Sequence, residues 1–117
     1  MSDFVPLRVS HLSLGVGDLE RSEQFYRDVL QLPVQRRGED AVVEWPDFLL
    51  ILTARPPAHR SKMHFGFRLP SKSAVDAWAQ RVRGAGVEIV SGPADRDGTY
   101  QLYLVDPDNY EIEIYSE

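Results

Sequence analysis

The chain has 117 residues, 43% hydrophobic and 26% charged, with a net charge of −5 and no cysteine. That is one compact domain, or two tightly joined half-domains, with enough apolar material for a core. Disulfides, thiolate nucleophiles and Cys-based zinc or iron–sulfur sites are excluded, and the acidic balance argues against nucleic acid, which asks for a basic patch. No apolar run reaches the roughly 20 residues of a membrane span. Met1-Ser2-Asp3-Phe4 shows no basic region followed by an apolar one, so no secretory signal is read there and a cytoplasmic protein is expected, away from membranes.

Residues 7–16 alternate and predict a strand. Asp18 is a candidate helix cap, and Leu19, Ser22, Phe25, Tyr26 and Val29 follow at threes and fours, predicting a helix over about 19–30 that Pro33 ends. A second strand opens at Val34, and Gly38-Glu39-Asp40 marks a turn. Ala41–Trp45 and Phe48–Thr53 read as the third and fourth strands around the Pro46-Asp47 turn. Residues 55–62, with two adjacent prolines and no apolar period, read as a linker, and His59 within it as exposed. The order then repeats. Strand 63–69 leads to a Ser71 or Ser73 cap, then a helix carrying Val75, Trp78, Ala79 and Val82 that Gly84-Ala85-Gly86 stops. Val87–Val90 form a strand, 92–98 a Gly-, Pro- and Asp-rich loop, Tyr100–Val105 a strand, Asp106–Asn109 a turn, and Tyr110–Tyr115 the last strand. Phe25 and Trp78 sit at core positions of the two helices.

Shifting the first half by 53 positions places His11 on His64, Phe25 on Trp78 and Val34 on Val87. Shifting the hairpin that follows by 61 places Trp45-Pro46-Asp47 on Asp106-Pro107-Asp108, Ile51 on Ile112 and Leu52 on Glu113. The chain therefore reads as two tandem β-α-β-β-β units, about 6–54 and 63–117, within one domain. Alternation puts His11, Ser13 and Gly15 on one strand face, and His64, Gly66 and Arg68 on the equivalent face. Glu113 shares its face with Glu111 and Tyr115, opposite Ile112 and Ile114, so a carboxylate faces the histidine side in the second unit only.

His11, His64 and Glu113 are the candidate metal ligands. Two imidazoles and a carboxylate suit a divalent ion of borderline hardness, whether iron, manganese, zinc, nickel or cobalt, and three protein ligands leave positions open for water or substrate. The spacing alone is weak; the symmetric placement of the histidines gives it force. Glu111 competes with Glu113, and Glu117 reads as solvated. Arg68 either clamps an anionic substrate group or pairs with an acid. Ser13 and Tyr103 are candidates to line the same cavity. Asp106-Pro107-Asp108 reads as a turn, lacking the spaced oxygen ligands of a calcium loop.

The run from His11 to Leu30, His-Leu-Ser-Leu-Gly-Val-Gly-Asp-Leu-Glu-Arg-Ser-Glu-Gln-Phe-Tyr-Arg-Asp-Val-Leu, resembles the opening of vicinal oxygen chelate proteins. That superfamily includes glyoxalase I, extradiol dioxygenases, fosfomycin-resistance thiol transferases and bleomycin-binding proteins. The run from Leu104 to Glu113 resembles its closing hairpin, with Asn109 where Gly is usual; Asn also tolerates left-handed backbone. The resemblance implies His11, His64 and Glu113 as metal ligands, one metal per site, and a small-molecule substrate held through adjacent oxygens. Glyoxalase I adds a fourth ligand, a Glu from the first unit's last strand, where this chain has Leu52 and Leu50. Fosfomycin-resistance enzymes place a Thr where Ser13 stands, while loop 91–99 lacks an evident potassium- and phosphonate-binding set. Bleomycin-binding members keep the fold without a metal. The resemblance also implies a homodimer in which His11 of one chain meets His64 and Glu113 of the other.

The expected fold is thus α+β, two units of mixed sheet curved around a metal cavity. The leading expectation is a metal-dependent enzyme with Glu113 as ligand and base. The alternatives are a non-catalytic protein that sequesters a drug or metabolite, a thiol transferase, and a purely structural member.

Overall fold

The structure, a computed structural model, describes residues 5–58 and 63–117; His59 lies outside the described residues. The elements are β1 (His11–Val16), α1 (Leu19–Gln24, continuing as a π-helical turn over Phe25–Val29), β2 (Gln35–Arg37), β3 (Asp40–Trp45), β4 (Phe48–Ala54), β5 (His64–Arg68), α2 (Lys72–Gly84), β6 (Ile89–Arg96), β7 (Thr99–Val105) and β8 (Glu111–Ser116). They form two four-stranded sheets of matching order, β1-β4-β3-β2 and β5-β8-β7-β6. In each, the first and last strands of the unit pair in parallel and the rest are antiparallel. The α+β fold of two tandem units is as expected. No helix among the described residues is long and apolar enough to cross a membrane.

The helix signals act where the sequence puts them. Asp18 adopts extended backbone and accepts from the Arg21 amide at 3.0 Å, and Ser71 accepts from Ala74 at 3.2 Å. At the end of α2 the Val87 amide reaches the Val82 carbonyl at 3.1 Å and Gly86 reaches Arg83 at 3.0 Å, with Gly86 at φ 77, which is the Schellman arrangement. Each helix packs on the apolar face of its own sheet. Leu14, Val16, Leu50 and Leu52 of unit one join Leu102, Leu104, Ile112 and Ile114 of unit two in one continuous core.

Two readings of the second unit are corrected. Residues 92–98 are not a loop: β6 runs through most of them as an edge strand with register shifts at Ser91 and Ala94. Gly, Pro and Asp mark a loop by composition, but an edge strand tolerates Pro and a bulge uses Gly. Gly92 has φ 83, and a Cβ there would stand 2.3 Å from the Gln101 carbonyl oxygen. Only the Asp97-Gly98 turn is loop-like, both residues at positive φ as a tight hairpin requires.

The hairpin alignment is also one residue off at its end. His11 pairs with Leu49 and His64 with Glu111, so Glu113 is equivalent to Ile51, not Leu52. Between equivalent pairs, residues 106–110 separate Val105 from Glu111 while residues 45–48 separate Glu44 from Leu49, so the second connection is one residue longer, and a slip of one residue moves a strand's side chains to the opposite face. Leu52 is fully buried in the core, and Ile51 takes the polar-side position. The asymmetry between units survives the correction.

Beside α1, the Glu23 carboxylate is nearly buried and holds Arg27 at 3.0 Å and Arg36 at 3.1 Å, tying the helix to β2. Burial pushes this carboxyl up, but the hydrogen bonds and charges of Arg27 and Arg36 outweigh it and hold it below its ordinary value. A carboxyl lowered in the folded state contributes stability at pH above its unfolded value, near 4.5, and loses it as pH falls through the folded value. Urea midpoints measured from pH 6.5 downward should therefore fall more steeply for the natural chain than for Glu23→Gln below about pH 4.5. Parallel curves would show that the triad carries no pH-linked stability.

Candidate functional site

With the apolar faces and helices committed to one core, the opposite sheet faces are left open. The radius of gyration is 15.5 Å and the extents 47 × 40 × 27 Å. A compact chain of this length has a radius near 13 Å, so the molecule is flatter and more open than usual. The open face of unit one carries His11, Ser13 and Gly15 on β1, register-matched to Leu49, Ile51 and Thr53 on β4. That of unit two carries His64, Gly66 and Arg68 on β5, matched to Glu111, Glu113 and Tyr115 on β8, with Tyr103 beyond Glu113 on β7.

His64 and Glu113 converge. Their Nε2 and Oε1 atoms are 3.2 Å apart, and the Tyr103 hydroxyl lies 3.4 Å from the same imidazole nitrogen. The Tyr103 ring meets the His64 ring edge-on at 5.2 Å. Gly66 lies between the two strands' larger side chains; a Cβ there would come within 3.3 Å of the Glu113 Cβ. Burial first, then the Glu113 charge and hydrogen bond and the Glu111 charge, raise the Tyr103 phenol above its ordinary value, with Arg96 acting weakly the other way. The phenol therefore stays protonated and remains a donor to the carboxylate.

His11 does not join this pair. Its Nδ1 contacts Ser10 Oγ at 3.2 Å, and no group of three His, Asp or Glu side chains able to hold a metal exists among the described residues. All three candidate residues lie on open sheet faces, as alternation predicts; within one chain His11 is on one sheet and His64 and Glu113 are on the other. Arg68 pairs with Glu117 at 2.9 Å, an exposed ion pair, so Glu117 is not simply solvated as expected. A cavity of about 620 Å³ opens at the seam between units, with Ser13, Asp40, Thr53, Arg55, His64 and Glu111 in its wall. Neither His11 nor Glu113 lines it, so in a single chain the space and the ligand pair coincide only at His64.

The sequence missed what Asp106 and Asp108 do. Asp106 is buried and accepts from the Tyr26 hydroxyl at 2.8 Å and from the Asp108 and Tyr110 amides at 2.8 and 3.0 Å. Asp108 accepts from the Gly17 amide, the Arg21 guanidinium and the Ser22 hydroxyl at 3.2, 3.0 and 3.2 Å. The Tyr110 hydroxyl donates to the Gly15 carbonyl at 2.8 Å and accepts from the Ala58 amide at 3.1 Å. From the other side, Arg81 of α2 donates to the Asp28 carbonyl at 3.0 Å. The turn is a clamp that seats unit two on the helix of unit one. One signal pointed to it: under the internal repeat an aspartate replaces Trp45 at a position that should be apolar.

Among curated proteins, the chain is 30% identical to a catechol-2,3-dioxygenase of Bacillus subtilis over 119 residues, covering 93% of this chain and 41% of that protein. It thus spans less than half of that relative. It is 27% identical to a glutathione transferase, FosA, of Serratia marcescens, covering 92% of this chain and 79% of that one. Among solved structures, a lactoylglutathione lyase of Agrobacterium tumefaciens has a TM-score of 0.76 at 24% identity, covering 95% and 94% of the two chains, which is a likeness of fold. Residues 8–114 match the family model of the Glyoxalase/Bleomycin resistance protein/Dioxygenase superfamily, and the chain belongs to that superfamily.

Proposed function

We propose that the protein is a divalent-metal-dependent enzyme acting on a small molecule bound through two adjacent oxygens. The observation that carries this reading is the convergence of His64 Nε2 and Glu113 Oε1, at 3.2 Å, on an open sheet face backed by a closed core. An imidazole and a carboxylate fit iron, manganese, zinc, nickel or cobalt, and His11 of a second copy would complete the set. When bound, such an ion supplies Lewis-acid stabilisation of charge on the chelating oxygens.

The chain's own residues do the remaining work. Tyr103 donates to Glu113 and packs edge-on against His64, which fixes both donors before any ion arrives, as residues around metal sites do. Glu113 is a ligand and, where one of its oxygens is released, a proton acceptor. Ser13 stands on the open face of unit one as a hydroxyl partner for substrate. Arg68 offsets substrate charge only by giving up Glu117. The superfamily names a dioxygenase, a glutathione transferase and a lyase among this chain's relatives, and they share the fold rather than one reaction.

Metal analysis by mass spectrometry tests the reading on untagged protein purified without chelator and reloaded with each candidate ion in turn. About one ion per chain is expected for the natural sequence, falling at least tenfold in Glu113→Ala. No bound ion after reloading would overturn the proposal and leave a metal-free binding protein as the better account.

A further inference from the structure

The exposed apolar side chains gather beside the two histidines. Among the described residues five large hydrophobics stand open to water: Val5 at 74%, Leu7 at 98%, Val9 at 81%, Met63 at 62% and Val90 at 55%. Val5, Leu7 and Val9 lead up to His11, and Met63 immediately precedes His64. Only Val90, on the edge strand β6, stands elsewhere. A lone exposed apolar residue needs no explanation. Three at alternate positions running into one candidate ligand, with a fourth beside another, mark a contact surface.

Residues 5–10 extend β1 without a strand to pair with. Alternation in the sequence predicts a strand from residue 7, yet β1 begins only at His11. The cause is that β4 runs out. It starts at Phe48, and the pairing ends where the Leu49 amide donates to the Ser10 carbonyl at 2.9 Å. Arg8 reaches back to the hairpin turn there, its guanidinium 3.8 Å from the Asp47 carboxylate. Steps of two residues keep to one side of an extended chain. Val9, Leu7 and Val5 therefore continue the face of His11 and Ser13, and Arg8 takes the other.

We propose that residues 5–9 are an arm that docks on a second copy of this chain, beside Met63 and the start of β5, and holds His11 against the His64–Glu113 pair of that copy. The inference rests on the chelation reading above, in its form with a site shared between copies. That form fixes the occupant. Within one chain His11 lies on one sheet and the pair on the other, so a second copy brings them together. A strand advances about 3.3 Å per residue, which puts Val9 about 7 Å and Leu7 about 13 Å behind His11 on the same face. When His11 meets the pair, these side chains fall on the copy that supplies it, where Met63 is one residue from His64. A two-fold dimer makes the contact twice. Burial of the arm needs no ion, so it assembles the site before metal arrives.

The test is the triple variant Val5→Ser, Leu7→Ser, Val9→Ser beside the natural chain. Dimerisation is measured by sedimentation on metal-free protein, and zinc content separately after loading. The dimer dissociation constant should rise roughly tenfold or more. Zinc per chain should fall in step at micromolar protein and recover as the protein is concentrated. Because the three side chains are exposed in the single chain, the urea midpoint at a dilution where both proteins are monomers should not change. An unchanged dimer would overturn the arm and leave the chelation reading standing. A lowered midpoint in the dilute variant would also overturn it, since the arm would then pack on its own chain, as would a natural chain that stays monomeric at every concentration. A dimer weakened by the variant in a natural chain that takes up no zinc would overturn the chelation reading and support the arm as a dimer contact.

Discussion

Mixed dimers built from one His11→Ala chain and one Glu113→Ala chain are expected to hold about one metal ion per dimer, although each variant alone holds almost none. Asp106 and Asp108 bind α1, Tyr110 binds β1 and the chain beyond β4, and Arg81 caps the carbonyls at the end of the π-helical turn. With the units seated this way on a common core, His11 and the His64–Glu113 pair stand on separate sheets, and no three-ligand cluster forms among the described residues. Bringing them together within one chain would mean breaking that clamp. Bringing a second copy to the open faces breaks nothing. In the mixed dimer one site then carries both substitutions and the other carries none. If the ligands came from one chain instead, each site would carry one substitution and the dimer would stay empty. Tagging the two chains with different histidine-free affinity peptides, purifying through both, and measuring metal decides between the arrangements. An empty mixed dimer, beside a metal-loaded natural dimer, would sink the shared site.

The sequence carried the architecture because the architecture is local. Alternation in β1, β5 and β8 put His11, His64 and Glu113 on the open faces, and period-two patterning leaves little choice once one face is buried. Asp18, Ser71 and Gly86 were legible as helix punctuation because each satisfies backbone groups within four residues of itself. What failed was information that lies between segments. The one-residue difference in hairpin length is set by how the turn at 106–110 docks on α1 and the π-helical turn after it, 80 to 87 residues away in sequence, and gap-free alignment had no means to see it. β6 is cut short in the sequence reading, which ends its strand at Val90, because its bulge needs Gly92 and glycine reads as a loop when the partner strand is not known. Whether His11 reaches the His64–Glu113 pair was not legible either, since it depends on how whole units are seated.

Asp106→Ala should be the most destabilising single change in this clamp, costing about 3–5 kcal/mol. The carboxylate is 3% exposed and accepts three hydrogen bonds, so truncation strands the Tyr26 hydroxyl, on a fully buried side chain, and two turn amides as well. Orphaned buried donors are more expensive than the bonds themselves are worth. Two companion variants separate the causes. Tyr26→Phe removes one donor and leaves the turn intact, so its cost should be about 1–2 kcal/mol. Asp106→Asn keeps an oxygen for the two amides and turns an NH₂ toward the Tyr26 oxygen, which also accepts, so its cost should be near 1 kcal/mol. Its pH dependence has a definite sign. Burial pushes the Asp106 carboxyl up, and the hydrogen bonds from Tyr26 and the two amides only partly reverse it. A carboxyl raised in the folded state contributes most below its unfolded value, near 3.8, and loses that contribution as pH rises through the folded value. Asp106→Asn should therefore cost less at pH 7 than at pH 4, opposite to the trend for Glu23→Gln. Urea unfolding of the three variants at both pH values measures all of this. An Asp106→Ala chain within about 1 kcal/mol of the natural one would mean that the hairpin turn is merely apposed to α1 and that the core alone seats the two units.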